Sequence, residues 1–106
     1  MRRRSGLARL LLVAMLVTTA VACGQPLDSA AGLVVSVDSP SLGRVDSFEL
    51  RTEDGDILTF DTTDLEFRRD FPAAHLGEHM RLAQAVRVTY RRDGERRVVV
   101  RLADEG

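Results

Sequence analysis

The chain has 106 residues, with 15 basic residues that are all arginine, 16 acidic residues, two histidines and one cysteine. That length supports one small domain and one core. A single cysteine excludes an internal disulfide, and a balanced charge excludes the strongly cationic surface from which nucleic-acid binders draw their affinity.

In chain order, Arg2, Arg3 and Arg4 come first, followed by an apolar run from Leu10 to Val17 and small residues to Ala20, Val21, Ala22 and Cys23. A basic start, a short apolar middle and a small-residue end make an export signal, and the apolar part is short for a transmembrane helix. The tripeptide Ala20-Val21-Ala22 before Cys23 resembles the lipobox of bacterial lipoproteins, with Ala20 where that motif usually carries leucine. The resemblance implies that residues 1–22 are removed as a lipoprotein signal peptide. Cys23 would then carry acyl chains such as palmitate, anchoring the product to the extracytoplasmic side of the cell membrane. Acylation also removes the liability of a lone thiol in an oxidising compartment. The alternative is an ordinary signal peptide cut near Ala22 that leaves the thiol free. With residues 1–22 gone, 84 residues remain, and 11 basic against 16 acidic residues give a net charge of −5.

Residues 23–31 are small and polar around Pro26 and read as the lipidated cysteine and a flexible tether. From Gly32 the pattern turns to period two, with Leu33, Val35 and Val37 predicted inward as a first strand, ended by a loop over residues 39–43. A second strand is predicted over residues 44–52. Phe48 and Leu50 share a face there but Val45 is out of phase with them, so the pattern predicts a β-bulge near Asp46 and Ser47.

Asp54-Gly55 and Asp93-Gly94 mark two hairpins. A three-residue loop, Glu53-Asp54-Gly55, pairs Leu50 with Leu58 and Phe48 with Phe60, whereas a two-residue loop sets apolar residues against polar ones. The same parity at Arg92-Asp93-Gly94 pairs Tyr90 with Arg96, Val88 with Val98 and Val86 with Val100. Between the hairpins, Pro72 suits a first helical turn, and Leu76, Met80 and Ala83 recur at helical spacing, predicting a helix over residues 72–82 weakened by Gly77.

The expected fold is therefore all-β with one short helix in the order β-β-β-α-β-β, a domain over residues 32–103 and a tail over 104–106. That order resembles the OB-fold, a five-stranded Greek-key barrel. In particular Gly32, Val35 and Val37, then Phe48 to Thr52 with Asp54-Gly55, Leu58 and Phe60, and finally Val86 to Tyr90 with Asp93-Gly94 resemble the OB-like domains of exported bacterial lipoproteins of unknown function. A small sandwich or SH3-like barrel is the alternative. The resemblance specifies turn and core positions and implies no activity.

OB-folds that bind nucleic acid or sugar use the outer face of the second and third strands, often with exposed aromatics. Here the parity turns Phe48, Phe60 and Tyr90 inward and leaves Ser47, Glu49, Arg51, Ile57, Thr59 and Asp61 outside, so no nucleic-acid partner is expected. Arg87, Arg91, Arg97 and Arg101 are predicted to form a basic stripe on the last hairpin, either a solvated face or a contact for anionic headgroups, a small anion or an acidic partner. His75-Leu76-Gly77-Glu78-His79 fits the H-x-x-E-H pattern of inverted zinc peptidases, in which Glu78 would serve as general base. A third ligand must come from elsewhere in a domain too small for a deep cleft, so His75 and His79 are expected to be exposed helix-face residues and only weak metal candidates. Asp54, Asp56, Asp61 and Asp64 lack calcium-loop spacing and read as solvated turn residues. The expected product has no cofactor and no catalytic residues, and acts as a tethered binding or accessory module with an envelope protein as its possible partner.

Overall fold

The computed structural model describes residues 25–106; the signal predicted over residues 1–22 and the predicted lipidation at Cys23 lie outside the described residues. Five strands, β1 (Asp28–Asp38), β2 (Ser47–Thr52), β3 (Ile57–Asp61), β4 (Val86–Asp93) and β5 (Arg96–Asp104), and one helix, α1 (Ala74–Leu82), follow one another with the helix between β3 and β4. The strands close into a barrel in the order β1-β2-β3-β5-β4, an OB-like topology.

β1 takes part in two ladders. Its first half, Asp28 to Gly32, pairs with β4, and its second half, Gly32 to Asp38, pairs with β2. Gly32 belongs to both, and a Cβ there would lie 2.2 Å from the Arg51 carbonyl oxygen, so only glycine lets the two strands approach this closely. The strand starts four residues before the predicted Gly32, and residues 28–31 are therefore not tether. Small side chains look like spacer in a sequence, but ladder hydrogen bonds use only backbone, and Ala30 packs against the core.

No bulge occurs near Asp46 and Ser47, where one was predicted; the irregularity of the β1–β2 pair lies in β1. Val34 faces Leu50 and Ser36 faces Glu49, which makes Val35 the extra residue. Ala30, Val34 and Val37 consequently pack on the core, and the inward parity expected for Leu33 and Val35 is wrong. Val45 is buried outside any strand, because β2 begins only at Ser47, and so it needs no bulge to bring it into phase.

The first hairpin has the predicted register, Leu50 opposite Leu58 and Phe48 opposite Phe60. Its turn closes with Gly55 at φ 90°, whose N–H donates to Thr52 O over 2.9 Å. The second hairpin differs. Tyr90 faces Val99, Val88 faces Leu102 and Val86 faces Asp104, around a two-residue turn, Gly94-Glu95, with Gly94 at φ 63° as the first residue of a type II′ turn. Val100 is the extra residue of a bulge that restores inward phase at Leu102. β5 runs to Asp104, and Glu105 N–H donates to Ala85 O over 3.1 Å, so the predicted tail is tied to the barrel.

The core combines Phe48, Leu50, Phe60, Val86, Val88, Tyr90, Val99 and Leu102 from the strands with Leu76 from α1. Phe60 stacks on Phe48 at 5.4 Å and meets Tyr90 edge-on at 5.0 Å, so the three aromatics face inward as predicted. α1 begins two residues later than predicted and ends at the predicted Leu82, where Ala83 in the left-handed region (φ 54°) lets Gln84 N–H reach His79 O at 3.0 Å. Leu76 and His79 are its buried residues, while Met80 and Ala83 are exposed, contrary to the predicted apolar face.

Candidate functional site

The chemistry-bearing side chains collect in three places: the outer face of the β4–β5 hairpin, the buried side of α1, and the seam where β3 meets β5. On the hairpin, opposite residues share a face, so Arg87 beside Ala103, Arg91 beside Val98 and Arg101 beside Thr89 all point outward. Arg97 pairs with Arg92 and falls on the Tyr90 side of the sheet. The predicted four-arginine stripe is therefore split. The cause is the shifted register, which puts Val98 rather than Arg97 on the face of Arg91, where it is covered and only 1% exposed.

Two of the three outward arginines are engaged. Arg87 forms a fork with Glu105, Nε to Oε1 at 2.8 Å and Nη2 to Oε2 at 2.7 Å, and Nη1 donates to Ser29 Oγ at 2.8 Å. The same fork holds the Glu105 carboxyl below its usual range. Arg91 Nη2 lies 3.7 Å from Asp64 Oδ2. Arg101 is exposed and has no ion pair among the described residues.

The histidines come together around Phe71. Its ring lies 5.2 Å from that of His75 and stacks on His79 at 5.5 Å with a 16° tilt. His79 is 6% exposed rather than on the solvated helix face as expected. Nδ1 donates to Gln84 O, a carbonyl that can only accept, over 2.9 Å, and Nε2 lies 2.8 Å from Asp104 Oδ1. Both nitrogens are committed, one to the end of α1 and one to the end of β5. Neither offers a free lone pair for a metal shared with His75, and Glu78 is exposed. Among the described residues no group of three or more His, Cys, Asp or Glu is placed to hold a metal ion.

The seam depends on residues that the sequence reading left as solvated turn acids. β3 and β5 meet at one parallel bridge, Asp61 to Val98. Asp61 Oδ2 accepts from Arg96 Nη2 at 2.8 Å and Nε at 3.1 Å, while Oδ1 accepts from Thr63 N–H at 2.9 Å and Thr63 Oγ1 at 2.6 Å. Burial pushes the Asp61 carboxyl up, but the Thr63 hydroxyl and N–H and the Arg96 guanidinium outweigh it and hold the carboxyl below its usual range. Thr62, also buried, donates from Oγ1 to Val45 O at 2.7 Å and from N–H to Asp46 O at 3.0 Å. Those two bonds turn the chain toward the β1–β2 loop and away from β5. A threonine after a strand was the only trace of this in the sequence, and its partners lie 16 and 17 residues upstream.

The outer face of β2 and β3 is as expected: Ser47 opposite Asp61, Glu49 opposite Thr59 and Arg51 opposite Ile57, with no aromatic among them. No helix of the described residues is long and apolar enough to cross a membrane. No family model matches the chain, and no curated protein or solved structure matches it.

Proposed function

We propose that this chain is an exported lipoprotein of the cell envelope, anchored through acyl chains on Cys23, whose barrel binds another component and performs no catalysis. The observation that carries the proposal is the closeness of the barrel to the anchor site. β1 begins at Asp28, five residues after Cys23, and five fully extended residues reach at most about 18 Å. A domain so tethered works at the membrane surface. Binding is favoured over catalysis by the way the fold uses its reactive side chains, since His79, Asp104, Asp61, Arg96 and Arg87 all act as clasps between elements.

Contact with anionic headgroups through the hairpin arginines is the weaker reading, because Arg87 and Arg91 already face Glu105 and Asp64. Intact-mass spectrometry of protein extracted from membranes tests the anchor. The expected species begins at Cys23 and carries acyl chains, and Cys23→Ala releases the protein from the membrane fraction. A soluble species with a free thiol, or one retaining residues 1–22, would overturn the proposal. Liposome flotation of the unacylated protein tests the weaker reading, which requires binding that grows with anionic lipid and declines with salt.

A further inference from the structure

β3 and β5 meet at a single bridge, so the edge of β5 away from β4 is nearly unpaired. After the bridge at Val98 no strand adjoins residues 99–104 on the side away from β4, and no backbone hydrogen bond joins them to residues 62–73 among the described residues. Backbone N–H and C=O groups need partners, and a strand edge offers them at the repeat that another extended backbone matches. Along this edge runs a shallow groove of about 490 Å³ lined by Leu65, Glu66, Val98, Val99 and Val100 and by the Arg91–Asp64 pair. It continues into a crease of about 20 Å³ between Val100 to Leu102 on one side and residues 65–71 on the other, a segment that an added strand must displace. The bulge turns Val100 outward into the groove, leaving it 43% exposed.

We propose that this edge takes up an extended peptide segment of a partner protein by strand addition to β5. The proposal rests on the binding-module reading above and gives it a site and a partner chemistry. Residues 99–103, beyond the bridge at Val98, offer about 17 Å of edge, enough for a peptide strand of about five residues. Alternate side chains of the added strand lie on Val100 and Leu65, and those side chains are apolar. The crease is rimmed by Arg101, which has no ion pair among the described residues, and by Arg68, whose contact with Asp70 is a 3.5 Å pair between side chains more than 70% exposed. An acidic residue in the peptide complements them. The same rim disfavours a lysine-rich strand, and a lipid headgroup or free anion would leave the backbone groups unmatched.

The test is selection of random seven-residue peptides on the full processed chain in detergent micelles, followed by backbone-amide NMR mapping. The expected binders alternate apolar residues with at least one carboxylate and shift the amides of residues 98–103. N-methylation of every second peptide residue should abolish binding when it blocks the edge facing β5 and have no effect on the other edge. Arg101→Glu should weaken binding by about tenfold or more, while Ile57→Glu on the β2–β3 face should leave it unchanged. Selection without binders, equal tolerance of N-methylation at both edges, or shifts confined to the β2–β3 face would overturn the strand-addition site; the last would leave the binding-module reading standing. Dimers lost on Arg101→Glu and undisturbed by the peptides would assign the edge to a second copy of this chain and overturn it too.

Discussion

Ala83 ends α1 in the left-handed region at φ 54°, where a side chain costs about 1–2 kcal/mol and glycine does not. Ala83→Gly should stabilise the domain by about 0.5–1 kcal/mol in urea denaturation, and a loss would contradict the assigned cap. Gly32 lies at the opposite extreme. A Cβ 2.2 Å from Arg51 O forces the β1–β2 ladder apart, so Gly32→Ala should cost about 1–3 kcal/mol despite adding one methyl group. His79 joins Gln84, Asp104 and Phe71. His79→Ala leaves a buried cavity and removes both of these contacts, with an expected loss of about 2–4 kcal/mol. Because both ring nitrogens are bonded, zinc should dialyse away from the wild-type protein, and stoichiometric retention by metal analysis would refute the clasp. The spacing of His75 and His79 was visible in the sequence, but the partner that fixes His79's role stands 25 residues further on. Local pattern carries no information about such a pair.

Among the elements, the β3–β5 seam is held by one bridge and the Asp61–Arg96 pair, with the Asp61 side chain 26% exposed. Asp61→Asn should cost about 1 kcal/mol, the usual worth of a charged hydrogen bond reduced for partial solvent screening. The depressed folded-state carboxyl sets the pH dependence. Its contribution is complete above the unfolded carboxylate value of about 3.9 and is lost as pH falls through the lower folded value. Wild type should therefore lose its advantage over Asp61→Asn below about pH 4, as followed by denaturation at stepped pH; a gap constant down to pH 2 would contradict the pair.

The hairpins show what alternation reveals and where it fails. Residues 48–60 alternate cleanly about a glycine turn, which fixed the register of β2 and β3. In β5 the run Val98-Val99-Val100 is apolar at either parity, so it cannot tell one register from the other, and a bulge at Val100 absorbs the difference. Leu33-Val34-Val35 hides the β1 bulge for the same reason. The arginine stripe inherited the error, because its face was deduced from those valines.

At the scale of the whole molecule, the element order carried the OB-like barrel, since β-β-β-α-β-β with turn glycines in place leaves few ways to bury Phe48, Phe60 and Tyr90 together. The closure of that barrel was not legible. It depends on Gly32 serving two ladders and on Thr62 drawing the chain after β3 away from β5, both contacts between distant segments. The consequence is a barrel closed firmly around β1 and β4 but joined at a single point between β3 and β5. Residue-resolved amide hydrogen exchange on the protein tests this most directly. Residues 99–104 should alternate, with amides directed at β4 protected and those on the open edge exchanging orders of magnitude faster; uniform protection along β5 would mean that the edge is closed.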